Sequence, residues 1–390
     1  MDCESGIMAA PLVRLNSPTK VGRAFWLQAT VSMSSKVYFI KAAESDGEKV
    51  ISEKTRKLFK AGGFSSCFKK NDFTAVKIHI GEKGNNTYVK APYIKALAEE
   101  LLALKTKPFL TDTCTLYTGA RHNAIDHSIL AAEHGFGLDG LGVPFIVSGG
   151  LFGTSQTPVQ INGQVNKEVF IASDIARCQS ILSVAHVTGH CAACLGATLK
   201  TLGMGCASKK GKMKQHAALT LSIGDDCRRC GECLEHCPAD AITLGDVKAH
   251  IDRDKCISCA ECLAVCRFGA VECNWGQECE TLQKGIAEYA LGTLKGKENR
   301  AAFFNYIMSV TADCDCMDRP NMRKIVKDVG IAASTDPVAV DKAALDLVEA
   351  KAGRKLPELL RNDKLSPRYQ VEHAERIGLG NADYQLVEVT

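Results

Sequence analysis

The chain has 390 residues, 46% hydrophobic and 24% charged, with a net charge of +4; this is a globular composition with room for two or three domains. Balanced charge and only 6% aromatics argue against a nucleic-acid partner. Nineteen cysteines, with no secretory signal in the first 32 residues and no apolar run near the length of a membrane span, predict a cytoplasmic protein with no membrane partner, its thiols in metal or redox use.

Residues 1–35 read as an N-terminal extension, with Met33 a candidate alternative initiator. Strand-like runs follow: KVYFIKA (36–42), TAVKIHI (74–80), PFLTD (108–112), PFIVS (144–148), ILSVAHV (181–187) and FFNYIMSV (303–310). Helical runs lie between several of them. In PYIKALAEELLAL (92–104), Pro92 suits the first helical position, and Ile94, Leu97, Leu101 and Leu104 recur at spacings of three and four. A second helix is expected over 121–134, ended by Gly135. A third starts from Asp336 as N-cap with Pro337 next. This alternation predicts an α/β fold, a mostly parallel sheet with flanking helices.

Between the last two strand runs lies a short repeat. Cys227, Cys230, Cys233 and Cys237 recur 29 residues later as Cys256, Cys259, Cys262 and Cys266. Each half is C-x2-C-x2-C-x3-C. Three thiolates at that spacing wrap one face of an iron–sulfur cube, and the fourth reaches the other cube. Cys227, Cys230, Cys233 and Cys266 are thus expected to hold one [4Fe–4S] cluster, and Cys256, Cys259, Cys262 and Cys237 a second. Zinc sites use paired C-x2-C with a longer gap and fit poorly. The stretch closely resembles bacterial two-cluster ferredoxins. After the extension, the chain therefore divides into a first α/β body segment (36–216), an inserted α+β two-cluster ferredoxin-like domain (217–275) and a second α/β body segment (276–390). Arg267 stands where the second run would carry proline; it is either a solvent-facing side chain or a charge that raises a cluster's potential. Cys273 and Cys279 read as ordinary small apolar residues.

Polar loops follow four of the strand runs. If those strands are parallel, their C-terminal ends share one edge, where ligands bind. Cys114, Cys191, Cys194, Cys314 and Cys316 would then gather there, with His79, Asp112, Arg121, His122, His190 and Cys206 close by. In extended backbone the C-x-C of Cys314 and Cys316 points both thiols to one side; the plainer reading is two unrelated thiols. Lys209, Lys210, Lys212 and Lys214 form a basic run, a solvated loop or a docking site for an anionic substrate or acidic partner. GCASKKGKM has the wrong spacing for a P-loop, and GEKGNNTY matches no phosphate fingerprint.

VKIHIGEKGNNTYVKAPYIKAL, PFLTDTCTLYTGARHNAIDH, LKTLGMGCASKKGKMKQH and DVGIAASTDPVAVDKAALDLV resemble domain-of-unknown-function family 362. The resemblance covers about 36–350 and implies an iron–sulfur protein of anaerobic-type bacteria or archaea, without a settled reaction. It directs attention to Cys206, His216, Cys314 and Cys316 as candidate catalytic residues. The expected function is electron transfer: two [4Fe–4S] clusters exchanging electrons with a cysteine-containing site on the α/β body. That site would hold a third metal centre or a reactive thiol pair acting on a small-molecule substrate, which would make the chain an iron–sulfur oxidoreductase. The alternative is an electron carrier or assembly partner of a redox protein, with no substrate of its own. A purely structural role for the clusters, as folding staples, is a third reading.

Overall fold

The computed structural model describes residues 34–390 except 118, 218–219, 260, 267 and 273–276. The expected extension up to residue 33, Arg267 and Cys273 lie outside the described residues. Eight strands form the central sheet: β1 (Ser35–Lys41), β2 (Phe73–Lys77), β3 (Lys107–Thr113), β4 (Phe145–Ser148), β5 (Ser180–His186), β6 (Ala301–Ile307), β7 (Gly330–Ser334) and β8 (Tyr384–Glu388). Their order is β8-β1-β7-β6-β5-β2-β3-β4. Only the pairings of β7 with β1 and β6 are antiparallel, so β7 alone runs against the others.

Both faces of the sheet are covered, and strand alternation sorts the side chains between them. Val76, Leu110, Leu182 and Phe304 pack towards α1 (Glu48–Ala61), α2 (Ala91–Ala103) and α3 (Ala124–Glu133). Their neighbours Ala75, Phe109, Ile181 and Phe303 join the opposite core. That core includes α4 (Thr198–Gly203), α6 (Gln277–Leu294), α7 (Pro337–Ala352) and α8 (Arg368–Arg376), with α5 (Lys209–His216) beside α6.

Local signals explain the helix boundaries. Ile94, Leu97 and Leu101 of α2 are buried, and its proline lies in the first turn. The second helix starts at Ala124 rather than 121: Asn123 caps it by accepting from the amides of Ile125 and Asp126. Arg121 lies ahead of that cap in ion pairs. Asp336 caps α7 in the same way, through Val338 and Ala339. The basic run is the helix α5, not a loop, capped by the Ser208 hydroxyl accepting from the Gly211 amide. Two strand runs stop early, at Lys77 and Ile307, and their last residues turn into the loops at the sheet edge. β7 and β8 were not expected. GIAAS is too small-chained, and YQLVE too exposed at the edge, to show a clear apolar pattern.

Between β5 and β6, Ser222–Ile223 pairs antiparallel with Val271–Glu272, and Ile242–Leu244 with Ala249–Ile251. Two short helices, Glu232–Glu235 and Glu261–Val265, accompany them. The sequence repeat is visible in the backbone. Arg229 and Ser258, 29 residues apart, take φ of 53° and 52°, and Asp240 and Gly269, also 29 apart, take 47° and 67°. Among the described residues no helix is long and apolar enough to cross a membrane.

Candidate functional site

The eight repeat cysteines fall into two groups. Cys227, Cys230, Cys233 and Cys266 line one hollow; Cys237, Cys256, Cys259 and Cys262 line another. This is the grouping that crossed ligation requires. Apolar side chains form part of each remaining wall, Leu244, Phe268 and Val271 in the first, Leu221, Ile242 and Ile251 in the second, with Arg228, Arg229 and Glu232 also at the first and Glu261 at the second. Backbone amides of Arg229 and Ala241 approach the Cys227 and Cys237 sulfurs at 3.5 and 3.3 Å. Sulfur donors, apolar walls and amide–sulfur bonds are the environment of an iron–sulfur cube. Among the described residues no three His, Cys, Asp or Glu side chains are grouped to hold a metal ion; a cube spreads its thiolates wider than a single ion does.

The second site lies at the C-terminal edge of the parallel strands. β2, β3, β5 and β6 run in one direction, and their loops wall a cavity that opens to solvent. A buried ionic chain braces one wall. Lys77 Nζ donates to Asp112 Oδ1 at 2.9 Å, and Arg121 reaches Asp112 Oδ2 and Glu82 Oε2, both at 3.2 Å. Arg121 also donates to the Tyr117 hydroxyl. Burial alone would raise the Asp112 carboxyl, but Lys77, His127 and Arg121 hold it well below its usual range.

The C-x-C segment is a turn, not a strand. The Met317 amide donates to the Cys314 carbonyl at 3.2 Å, so a bend rather than strand alternation brings the two thiols together. The GEKGNNTY loop clamps this turn. Asn85 donates to the Met317 carbonyl at 3.1 Å, Thr87 to Asp315 at 2.9 Å, and the Glu82 amide to the Asp315 carbonyl at 2.9 Å. Gly84 combines φ of +87° with a close approach: a Cβ there would sit 2.9 Å from the Asp318 carbonyl oxygen. His186 anchors Asp315 from below, Nδ1 to Oδ2 at 2.7 Å, while its Nε2 meets the Met308 carbonyl at 2.9 Å. Two acceptors fix both ring protons, and Asp315 raises the imidazole against the effect of burial.

Cys314 and Cys316 are unequal. The Gly81 amide donates to His79 Nδ1 at 3.1 Å, which leaves Nε2–H to point at Cys316 Sγ, 3.3 Å away. The hydrogen bond shared with Cys314 holds the Cys316 thiol well below its usual range, aided by His79 and Arg121 against burial. The same bond, with burial, pushes Cys314 well above. Of the two thiols, Cys316 is thus the more acidic and Cys314 the one that holds its proton more tightly.

The expected convergence is partial. His79, Asp112, Arg121, His190, Cys191, His216, Cys314 and Cys316 line the cavity. Cys206 does not: it is buried, its Sγ 3.6 Å from the Thr201 carbonyl, and burial pushes its thiol up to about 12. Cys114 packs against the 151–153 turn, and Cys194 is buried in the core with φ +62°. His122 is held outside by the Tyr117 carbonyl and Lys209. Cys279 is core, as its apolar reading expected. In the basic run, Lys210 and Lys214 lie over Phe170 and only Lys212 lines the cavity.

Lys77, His186, Lys200 and Asp315 were not anticipated. Lys77 had a usable signal, a charge inside a strand whose two faces are both apolar. Also unanticipated is the wall shared by the two sites: Cys259 and Glu261 line both the cavity and the second cysteine hollow.

A mostly parallel α/β sheet with a thiol-bearing cavity at its C-terminal edge and a paired-cysteine insert beside it defines the class of this protein. The family described as domain of unknown function (DUF362) matches residues 74–346, and the chain belongs to it. Among curated proteins no relative matches. Two solved structures are similar at low levels. One is the lactate racemase apoprotein from Thermoanaerobacterium thermosaccharolyticum, with TM-score 0.34, 9% identity, and coverage of 70% of this chain and 50% of that one. The other is a Thermotoga maritima protein from a structural genomics programme, with TM-score 0.40, 12% identity, and coverage of 79% and 59%. The chain thus spans between half and three fifths of the length of these structures. Likeness at this level carries no argument about activity.

Proposed function

We propose that the chain is an iron–sulfur electron-transfer protein with its own reaction site. Cys227, Cys230, Cys233 and Cys266 would hold one [4Fe–4S] cluster, and Cys237, Cys256, Cys259 and Cys262 the other, in a ferredoxin-like insert. Electrons would be exchanged with the Cys314–Cys316 site on the α/β body. A bound cluster of this kind supplies or accepts one electron at a time.

The observation that carries this reading is the shared wall, where Cys259 faces both the second hollow and the thiol cavity. On the cavity side, the hydrogen bond shared with Cys314, aided by His79, holds Cys316 as the more acidic thiol, Cys314 holds its proton more tightly, and the Glu82–Arg121–Asp112–Lys77 chain fixes the wall around them. These groups hold a nucleophilic sulfur and a proton side by side. The reading suits a reducing cytoplasm.

Anaerobic iron and sulfide analysis with EPR tests it. About eight irons per chain are expected. A Cys314→Ala/Cys316→Ala double variant should keep that iron and lose thiol-dependent electron exchange. Iron near zero after reconstitution would sink the proposal. Iron above about eight in the wild type, falling in the double variant, would assign the pair to a third metal centre instead.

A second reading, a carrier or assembly subunit without its own substrate, is favoured by one observation. Cys230, at the first hollow, is exposed and offers a partner protein direct access. Reduction only within a stoichiometric protein complex, with the cavity thiols dispensable, is its expected signature.

A further inference from the structure

The cavity carries more positive charge than its carboxylates answer. Lys77 and Arg121 are paired with Asp112, Arg121 also with Glu82, and His186 with Asp315. Lys200 and Lys212 have no such partner. Lys212 is buried and donates only to neutral oxygens, the Thr113 hydroxyl and the Ala207 carbonyl. Lys200, half-buried on α4, lies towards Cys314, Cys316 and Asp315, which raise its ammonium against burial, but it makes no hydrogen bond or ion pair with a carboxylate among the described residues. The two other acidic groups on the wall do not answer them: Glu261 lies towards Arg121 and Cys316, and Asp313 towards Arg319 and Arg323.

Two imidazoles complete this wall. His190 Nδ1 accepts from the amides of Ala192 and Ala193 at 3.1 and 3.0 Å, which leaves Nε2–H as a donor at the cavity wall. His216, the last residue of α5, has a buried Nδ1 with no partner among the described residues. Burial, with Lys200 and Lys212 beside it, pushes His216 down to about 4, so the ring is neutral. Burial, with Lys77 nearby, lowers Lys212 to about 8 against the pull of Asp112. An ammonium group withdrawn from water without a paired counter-ion, as Lys212 is, is costly, and an anion entering the cavity lowers that cost. Between these polar groups the wall is apolar, with Met204, Leu282 and Ile286. A bare inorganic anion would leave those side chains uncovered.

We infer that this cavity binds a small organic acid. Its carboxylate is held by Lys200 and Lys212, with His190 and His216 as neutral hydrogen-bonding partners. Its carbon skeleton lies against Met204, Leu282 and Ile286, next to the Cys314–Cys316 turn. The inference rests on the redox reading only for what the thiols then do; binding stands on the wall itself.

Calorimetry on the full, anaerobically reconstituted chain tests it, with butyrate, succinate and benzoate as probes. Their uncharged amides and inorganic phosphate are the controls. At least one acid should bind saturably, about tenfold or more tighter than its amide and than phosphate. Lys200→Gln and Lys212→Gln should each weaken it by about tenfold or more. Lys200→Gln, at a half-buried position, keeps the test valid if the buried Lys212 variant fails to fold. No binding by any acid, equal binding of acid and amide, phosphate binding as tight, or unchanged affinity in Lys200→Gln overturns the inference. The two proposals fail separately. Acid binding by a chain that takes up no iron sinks the redox reading alone; about eight irons with no acid binding sinks this one alone.

Discussion

Residues 222–272 carry eight cysteines, six in loops and two on short helices, beside two two-stranded ribbons, whereas the neighbouring cavity is walled by side chains from many separate stretches around a large sheet. The insert has little regular structure of its own, and its two hollows open among its few apolar residues. Its order is expected to come from what the cysteines bind. The cavity instead inherits its order from strands covered on both faces, and spends that rigidity on buried charges and an activated thiol. One region would be organised by the clusters proposed for it; the other is organised in advance of any ligand.

The contrast breaks most visibly at a cluster ligand. Cys233→Ala is expected to lower bound iron from about eight to about four and to open 222–272 to limited proteolysis, with the sheet unaffected. If proteolysis spreads into β5 or β6, the insert is not separately organised. Next in size is Asp112→Ala, which strands Lys77 in the interior and leaves Arg121 with Glu82 alone. A loss of about 3–5 kcal/mol in urea unfolding is expected, with iron content unchanged.

Gly84→Ala should cost about 1–3 kcal/mol, from a left-handed φ and the Asp318 carbonyl oxygen, and should raise amide exchange across 311–318. The His186–Asp315 pair sets a pH window for the same turn. Its imidazole is raised above 6.5 and its carboxyl lowered below 3.8, so its stabilisation is complete between those values. It declines as pH rises through the raised imidazole value, and as pH falls through the depressed carboxyl value. Exchange rates at 311–318, corrected for intrinsic pH dependence, should be lowest inside that window. The smallest effect is at His79→Phe, which removes one donor to Cys316. The pH midpoint of Cys316 alkylation should move upward with no change in iron.

The two regions also differed in how far they could be read from sequence. The insert's ligands announce themselves because a cube needs three cysteines within one turn of chain, a local requirement. Six strands of the sheet, the cap at Asp336 and the first-turn proline Pro92 were equally local. The cavity was legible only through its strand ends: His79, Asp112 and Arg121 follow apolar runs directly, and C-x-C stood out by composition. Lys200 was hidden because a lysine on a short helix looks like any surface lysine until the partner elements are known. Cys206 misled in the opposite sense. It sits in a polar, lysine-rich stretch, yet the chain folds it inward while Lys212 takes the wall. The C-x-C pair faces the cavity for a reason unlike the expected one, since the backbone turns there and Asp315 between the thiols is the anchor.

Ser222 and Glu272 are hydrogen-bonded neighbours, so the chain enters and leaves the cysteine insert through a single narrow doorway. About fifty residues can be added or removed at such a point without altering the path of β5 or β6, much as an accessory plugs into a fixed socket. A short linker spliced between those two positions would take Cys259 and Glu261 out of the cavity wall while leaving in place the part of that wall carried by the sheet's own loops.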